Sequence, residues 1–425
     1  MIGLDGSRVN SFLRAVDPRE LSIADVSYDL PLERIAQQPL AERDASRLLR
    51  WYGGTITDHT FRDLPELLPT GTLLILNDTR VVNARLVFHR SSGARIEVLC
   101  LEPAGVGPME EAFKATRSVV WNAFIGNAKR WRGEEELLGA FSVEDGGAQG
   151  LLRARRVGEE AVQLVWEPAD LPFAEVLRRV GHVPLPPYLK RPDEVSDKER
   201  YNTVFARQDG SVAAPTASLH FTDEVLAGLA AKGIDRASLT LHVGAGTFLP
   251  VKAERMADHS MHAEQVRVPL ASVERYLEHV GKGPVVAVGT TALRTLESVY
   301  WHGVQLLEGT AGEELAIEQW EPYKRDGMAL PSPHQALTAV AEQLRSTGSD
   351  HLTGTTRLLI APGYRGWTVD GLITNFHQPQ STLLLLVAAF AGPGWRTIYE
   401  HAMRSGYRFL SYGDTSLLWR TPPKA

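Results

Sequence analysis

Five short apolar runs along this chain stop abruptly at small or polar residues. Leu73–Leu76 gives way to Asn77-Asp78-Thr79-Arg80, and Leu239–Leu241 to His242-Val243-Gly244. Val285–Val288 stops at Gly289-Thr290-Thr291, Leu358–Ile360 at Ala361-Pro362-Gly363-Tyr364, and Leu372-Ile373 at Thr374-Asn375-Phe376-His377. Unbroken apolar runs of this length predict strands covered on both faces. Helical patterns lie between several of them: Asp223–Lys232 behind a capping Thr222, and Ala292–Tyr300 behind Thr291. Leu383–Ala391 reads as a buried helix. Alternating strand and helix predicts an α/β layer, and ligands of such sheets bind beyond the carboxyl ends of the strands.

Residues 84–175 have a different texture. Short alternating runs (Ala84–Val87, Arg95–Leu101, Phe141–Val143, Ala161–Trp166) are broken by Gly, Pro and charges, the texture of a small antiparallel β barrel or sandwich. The expected fold class is therefore an α/β core domain (25–83 and 176–425) with an inserted small antiparallel β-barrel domain (84–175). Residues 1–24 stand apart as an N-terminal extension by comparison with the family that the motifs below resemble. The polar, Gly- and Glu-punctuated stretch 305–350 reads as an insertion with one helix, His334–Leu344.

A length of 425 residues fits two or three domains at about 150 residues each. With 44% hydrophobic and 23% charged residues, a globally disordered chain is excluded. The single cysteine, Cys100, excludes a disulfide framework and a cysteine-ligated zinc site. No run approaches the roughly 18 apolar residues of a membrane span, and residues 1–20 have no apolar centre of a signal peptide. The expectation is a cytoplasmic monomer with no membrane partner. A net charge of −6 does not exclude nucleic acid, because a local basic face is what meets phosphate. Basic clusters stand at Lys129-Arg130-Trp131-Arg132, Arg153 with Arg155-Arg156, Arg178-Arg179 and Lys190-Arg191.

Three strand-end segments carry candidate chemistry. Ser211–His220 combines small residues and Pro215 with Thr216, Ser218 and His220, allowing close backbone approach and adaptable hydrogen bonds. His242–Thr247 ends a strand in Gly244-Ala245-Gly246-Thr247, whose bare N–H groups suit an anion. It lacks the third glycine of a dinucleotide fingerprint. In Asn375–Thr382, Ser381 and Thr382 open an apolar helix, where orphan N–H groups also favour an anion. His259, His262 and Glu264 offer three metal-ligand types in six residues but match no established metal motif; acid–base use is the better expectation.

Together these segments resemble one family, the S-adenosylmethionine:tRNA ribosyltransferase-isomerases of queuosine biosynthesis. The stretches that carry the resemblance are YDLPLERIAQQPLAERDASRLL (28–49), LNDTRVVNARL (76–86), VPLPPYLKR (183–191), ERYNTVFARQDGSVAAPTASLHFT (199–222), LTLHVGAGTFLPVK (239–252), HSMHAEQV (259–266), VVAVGTTALRTLES (285–298), PGY (362–364), LITNFHQPQSTLLLLVAAFAG (372–392) and YRFLSYGDTSLL (407–418). They stand in the family's order. The resemblance implies transfer and isomerisation of the ribosyl moiety of S-adenosylmethionine onto 7-aminomethyl-7-deazaguanine in the tRNA wobble position. The product is epoxyqueuosine, and adenine and methionine leave. S-adenosylmethionine is then a consumed substrate, tRNA the partner, and no metal or resident cofactor is implied.

The sulfonium acidifies the adjacent ribose carbon, so a neutral imidazole is a fitting base; His220, His242, His262 and His377 are the candidates. Thr216, Ser218 and Asn375 are candidates for adenine, and Arg294 with Gly289 and Thr290 for the methionine carboxylate. Asp414, with Tyr412, is expected to face the sulfonium or the ribose hydroxyls. Gly244, Gly246, Thr247, Ser381 and Thr382 complete the expected substrate site. Arg80, Lys129, Arg130, Arg132, Lys190 and Arg191 are the expected tRNA contacts. Gln380 stands where many family members carry Lys, and Leu249 where many carry Arg, which leaves a paralogous transferase with a different acceptor as the alternative.

Overall fold

The computed structural model describes residues 17–105, 109–131, 135–143, 147–244, 251, 253–325, 327–365 and 367–420. In chain order the strands are β1 (Arg47–Tyr52), β2 (Thr55–Thr60), β3 (Leu73–Asn77), β4 (Thr79–Val81), β5 (Arg85–His89), β6 (Arg95–Pro103), β7 (Ser118–Gly126), β8 (Leu137–Ser142), β9 (Gln149–Arg156), β10 (Ala161–Glu167), β11 (Gln208–Ser211), β12 (Asp235–Leu241), β13 (Glu264–Pro269), β14 (Val285–Val288), β15 (Leu315–Ile317), β16 (His351–Thr356), β17 (Gly371–Asn375) and β18 (Thr415–Trp419). Among the described residues they form a ten-stranded sheet, a six-stranded sheet and the short pair β11–β4.

The large sheet runs β15-β16-β13-β12-β3-β14-β17-β18-β1-β2. Its centre, β12-β3-β14-β17, is parallel, and both flanks contain antiparallel pairs. Every residue of β3, β14, β17 and β18 is buried, which is why the apolar runs at 73–76, 285–288 and 372–373 are unbroken; β18, which opens on Thr415 and Ser416, shows no such run. One expected strand is absent: Leu358–Ile360, just beyond the end of β16 at Thr356, is buried but irregular. Its apolar character reflects burial alone, which periodicity cannot separate from a strand.

Helix Asp223–Ala231 is capped by the Thr222 hydroxyl, which accepts from Val225 N. Helix Thr290–Leu307 starts two residues earlier than its apolar pattern, with Gly289 at φ 92° as its cap in place of Thr291. That positive φ suits glycine and turns the chain sharply from β14 into the helix. Residues 305–350 are built into the core. Their helix, Pro333–Thr347, places Ala336, Leu337, Val340 and Leu344 against the main cluster. At the crossing, a Cβ on Gly303 would sit 2.2 Å from Ala336 O, so this close packing requires glycine.

The six-stranded sheet, β5-β6-β7-β10-β9-β8, is antiparallel throughout and lies between β4 and β11 in the chain. Burial alternates along β6, β9 and β10, the mark of one covered face. The sheet curls until β8 meets β5, where a Cβ on Gly139 would lie 3.4 Å from the Phe88 ring. It is nearly closed around its own core, which includes Trp121, Trp131, Trp166 and Phe88. Phe173, Val176 and Leu177 of helix Phe173–Val180 join that core, so the helix crosses the boundary expected at 175.

Candidate functional site

The parallel centre of the large sheet ends in a cleft with about 660 Å³ of free space. Its walls are residues 213–217, Val243, Gly289-Thr290-Thr291, Thr374, Asn375, His377, Gln378, Ser381, Leu383, Leu410, Ser411 and Tyr188. The carboxyl ends of β12, β14 and β17 and the turn after β11 therefore converge, as an α/β layer predicts. Buried Asn77, at the end of β3, locks this end of the sheet. Its amide N donates to Leu241 O and Thr291 Oγ1 (3.1 and 3.2 Å), and its Oδ1 accepts from Leu241 N and Thr79 N. Sequence reasoning saw Asn77 only as the stop of an apolar run.

Asn375 is the central polar residue of the cleft. Its Oδ1 accepts from Thr216 Oγ1 (2.8 Å), and its amide N lies 3.5 Å from His220 Nε2 and 3.4 Å from Asp414 O. Thr216 and Asn375 thus form one polar wall, while the Ser218 hydroxyl is buried beneath the turn without a hydrogen bond. His377 bonds Thr374 Oγ1 through Nε2 (2.8 Å). Ser381 caps helix Thr382–Ala391 by accepting from Leu384 N, and half-buried Thr382 is that helix's first residue. Gln380 is exposed at φ 55°, its carbonyl accepting from Val251 N.

The four candidate histidines are not equivalent. Burial pushes His220 and His377 down to about 3, so both are neutral and weak proton acceptors. His242 meets Thr79 Oγ1 through Nδ1 (3.0 Å), and its ring packs on Gly210, where a Cβ would lie 2.8 Å away. His262, half-exposed and not itself among the residues that line the cleft, is backed by a carboxylate: its Nε2 lies 3.2 Å from Glu264 Oε1.

Glu264 is fully buried at the start of β13 and also accepts from Gly244 N (3.3 Å) and from Arg294 in a short ion pair. Burial alone would raise its carboxyl, but Arg294, His262 and Gly244 hold it below the usual range. Ionised Glu264 can only accept, so His262 carries its proton on Nε2 and presents Nδ1 as the basic nitrogen. Gly244 closes the same corner, its α-carbon facing the His262 ring.

Several expected site residues stand elsewhere. Arg294 is buried against Glu264 and does not line the cleft, so its charge is already compensated. The Asp414 carboxylate accepts from Arg47 N and Arg408 N (3.0 and 2.8 Å) and braces that turn from behind, with burial raising its pKa. Tyr412 donates to Asp197, whose carboxylate also takes both Arg191 Nη atoms, so Arg191 is turned inward. Gly246, Thr247, Leu249 and Arg132 lie outside the described residues. Arg80 is half-exposed beside Asp209 (3.7 Å), while Lys129, Arg130 and Lys190 are exposed. The clusters at 153–156 and 178–179 are largely neutralised: Arg153 pairs with Glu167, Arg155 with Glu136, and Arg178 and Arg179 with Glu175.

Beside the cleft lies a smaller cavity lined by Arg43, Arg200, Arg408, Ser46, His220, Ser411 and Tyr412. Ser411 belongs to both. No sequence pattern announced it, because its three arginines come from segments 157 and 208 residues apart (200 − 43 and 408 − 200).

Comparison with known proteins adds an independent line. A family model described as "Queuosine biosynthesis protein" matches residues 23–418. An S-adenosylmethionine:tRNA ribosyltransferase-isomerase from Dechloromonas aromatica (strain RCB) is 40% identical over 403 residues, covering 94% of this chain and 97% of that protein. A protein of the same name from Acidiphilium cryptum (strain JF-5) is 39% identical over 404 residues, covering 94% and 100%. The crystal structure of an S-adenosylmethionine tRNA ribosyltransferase from Thermotoga maritima aligns at 28% identity over 92% of this chain and 99% of that one, with a TM-score of 0.44. A match to the family model from residue 23 to 418 settles membership: the chain belongs to the queuosine biosynthesis protein family.

Proposed function

We propose that this protein is an S-adenosylmethionine:tRNA ribosyltransferase-isomerase. It transfers the ribosyl moiety of S-adenosylmethionine to 7-aminomethyl-7-deazaguanine at the tRNA wobble position, forms epoxyqueuosine, and releases adenine and methionine. Relatives of that name at about 40% identity along nearly the whole chain support the reading. The observation that carries it is the convergence of Thr216, Gly289–Thr291, Asn375 and His377 on one cleft at the parallel strand ends.

In this reading Thr216 and Asn375 hold the adenine side of the substrate. His262 takes a proton from the ribose carbon next to the sulfonium; the electron pair stays on that carbon, stabilised by the adjacent positive sulfur. Its proton-bearing Nε2 is fixed by Glu264, a positioning residue, in the manner of a carboxylate orienting a catalytic imidazole. The substrate itself supplies the electrophile, so the reaction needs no resident cofactor or metal. Exposed Arg130 and Lys190, which make no ion pair among the described residues, are the first candidates for tRNA phosphate, with Arg80 and Lys129 beside them. Residues 84–175 act as an inserted β-barrel domain with a core of its own. The enzyme works as a cytoplasmic monomer.

The test is to incubate the protein with S-adenosylmethionine and tRNA bearing 7-aminomethyl-7-deazaguanine, then measure adenine and the modified nucleoside by mass spectrometry. Both products in equal amounts are expected. Adenine release without tRNA would favour a different acceptor, and no adenine would overturn the reading.

A further inference from the structure

The reaction leaves one substrate group without a partner. The carboxylate of S-adenosylmethionine carries a full negative charge, and Arg294, the cation nearest the cleft by sequence reasoning, is already paired with Glu264. The small cavity next to the cleft has the opposite imbalance. Arg43, Arg200 and Arg408 line it, and among the described residues none of the three forms an ion pair.

Their bonds all go to backbone carbonyls. Arg43 donates to Glu199 O, Arg200 O, Asn202 O and Leu219 O; Arg200 to Leu40 O and Ala41 O; Arg408 to Gln38 O and Tyr412 O. Carbonyl dipoles orient these side chains without cancelling their charge. Burial and the neighbouring Arg200 lower the Arg43 pKa, and burial lowers that of Arg408. The nearest carboxylate to Arg408, Asp414, spends its oxygens on two backbone N–H groups. All three side chains are half-buried, and gathering like charges where water is partly excluded is costly unless an anion joins them.

Three buried polar atoms on the same walls make no hydrogen bond: Ser46 Oγ, Arg200 Nε and Arg408 Nε. Orphaned donors in a native interior call for a partner. Ser46 is 1% exposed, so its hydroxyl is not served by bulk solvent. The cavity is much smaller than the cleft, so it suits the end of a ligand and not its bulk. Ser411 lines both the cavity and the cleft, and Asn375 reaches from the cleft wall to His220 on the cavity wall.

We propose that the cavity walled by Arg43, Arg200, Arg408 and Ser46 is the subsite for the carboxylate of the amino-acid end of S-adenosylmethionine. This rests on the functional reading above and names the part of the site that recognises the substrate's negative end. The adenosyl group fills the larger cleft, and the methionine chain passes Ser411 into the smaller one.

The decisive comparison is between S-adenosylmethionine and its decarboxylated analogue, which keeps the sulfonium and amine but lacks the carboxylate. Binding of each to the protein without tRNA is measured by calorimetry. A charge-assisted hydrogen-bonded contact predicts that wild-type protein prefers S-adenosylmethionine by about 10- to 100-fold. In Arg408→Met that preference shrinks toward unity because binding of the full substrate weakens while the analogue is little affected. Ser46→Ala, which breaks no bond within the protein, trims the preference by a few-fold and covers the case in which Arg408→Met does not fold.

Equal affinity for the two ligands in wild-type protein overturns the proposal. So does a full preference retained in both variants. If Arg408→Met instead lowers affinity for tRNA and flattens its salt dependence, the cavity takes a phosphate and the proposal fails. Wild-type protein that binds neither ligand fails at the functional reading itself, a distinct result.

Discussion

The ten-stranded and six-stranded sheets handle polar groups in opposite ways. In the large sheet the central strands are buried on both faces, and polar side chains crowd inward at their carboxyl ends: Asn77, Asn375, His377, Glu264 and Arg294 are all buried. In the small sheet burial alternates, and the charges face outward in pairs such as Arg153–Glu167 and Arg155–Glu136. A buried polar residue costs free energy unless it is bonded, so concentrating many at one strand end is expensive and marks chemistry. Outward pairs cost little and contribute little. The difference is the physical ground for the proposal that the reaction takes place at the large sheet, with the small sheet in a structural and surface role.

The largest expected effect breaks the comparison if it fails. His262→Ala should cut adenine release by about 10²- to 10⁴-fold while leaving the melting temperature near that of the wild type, since the ring is half-exposed. Near-normal turnover would move the proton acceptor elsewhere. The counterpart in the small sheet is Trp166→Ala. It should cost about 3–5 kcal/mol in denaturant unfolding of that region, with the affinity for S-adenosylmethionine unchanged. Loss of that affinity would show that the two sheets share one site.

The two regions also carry opposed pH dependences. Burial raises Glu297, in helix Thr290–Leu307, to about 7, so the folded state holds a proton the unfolded chain releases near 4.5. Its stabilising contribution is present below about 4.5 and is lost as pH rises through about 7. Arg178 leads Arg179 in depressing Glu175, beside the small sheet, to about 2, so its contribution is present above about 4.5 and lost as pH falls to about 2. Thermal melts of Glu297→Gln and Glu175→Gln against pH should each flatten one window and leave the other. The smallest effect belongs to the surface. Arg130→Ala and Lys190→Ala should each weaken tRNA binding modestly and reduce the slope of its salt dependence by about one, read from binding titrations at several salt concentrations.

Much of the large sheet was legible because its strands are buried on both faces and its motifs sit at their ends. The cleft residues Thr216, Gly289, Thr290, Asn375, His377 and Ser381 were all named from sequence. Most of the failures share one cause, which is pairing over long distances in the chain. Nothing local to Arg294 reveals Glu264, 30 residues before it. Asp414 looked like a ligand-facing carboxylate until Arg47 N and Arg408 N claimed it. Arg191 failed for a different reason: its partner Asp197 is only six residues on, but that carboxylate is buried, which the local sequence does not show. Arg178 and Arg179 were the exception, since Glu175 lies three and four residues away on the same helix. The arginine cavity was invisible to any local pattern.

The most direct test of the central claim is a crystal structure of the protein with a non-reactive thioether analogue of S-adenosylmethionine. The account predicts the adenosyl group in the cleft, within hydrogen-bond reach of Thr216 or Asn375, and the carboxylate among Arg43, Arg200 and Arg408. An analogue bound at the opposite end of the sheet, in the groove between Arg50, Lys282 and Trp419, would contradict it.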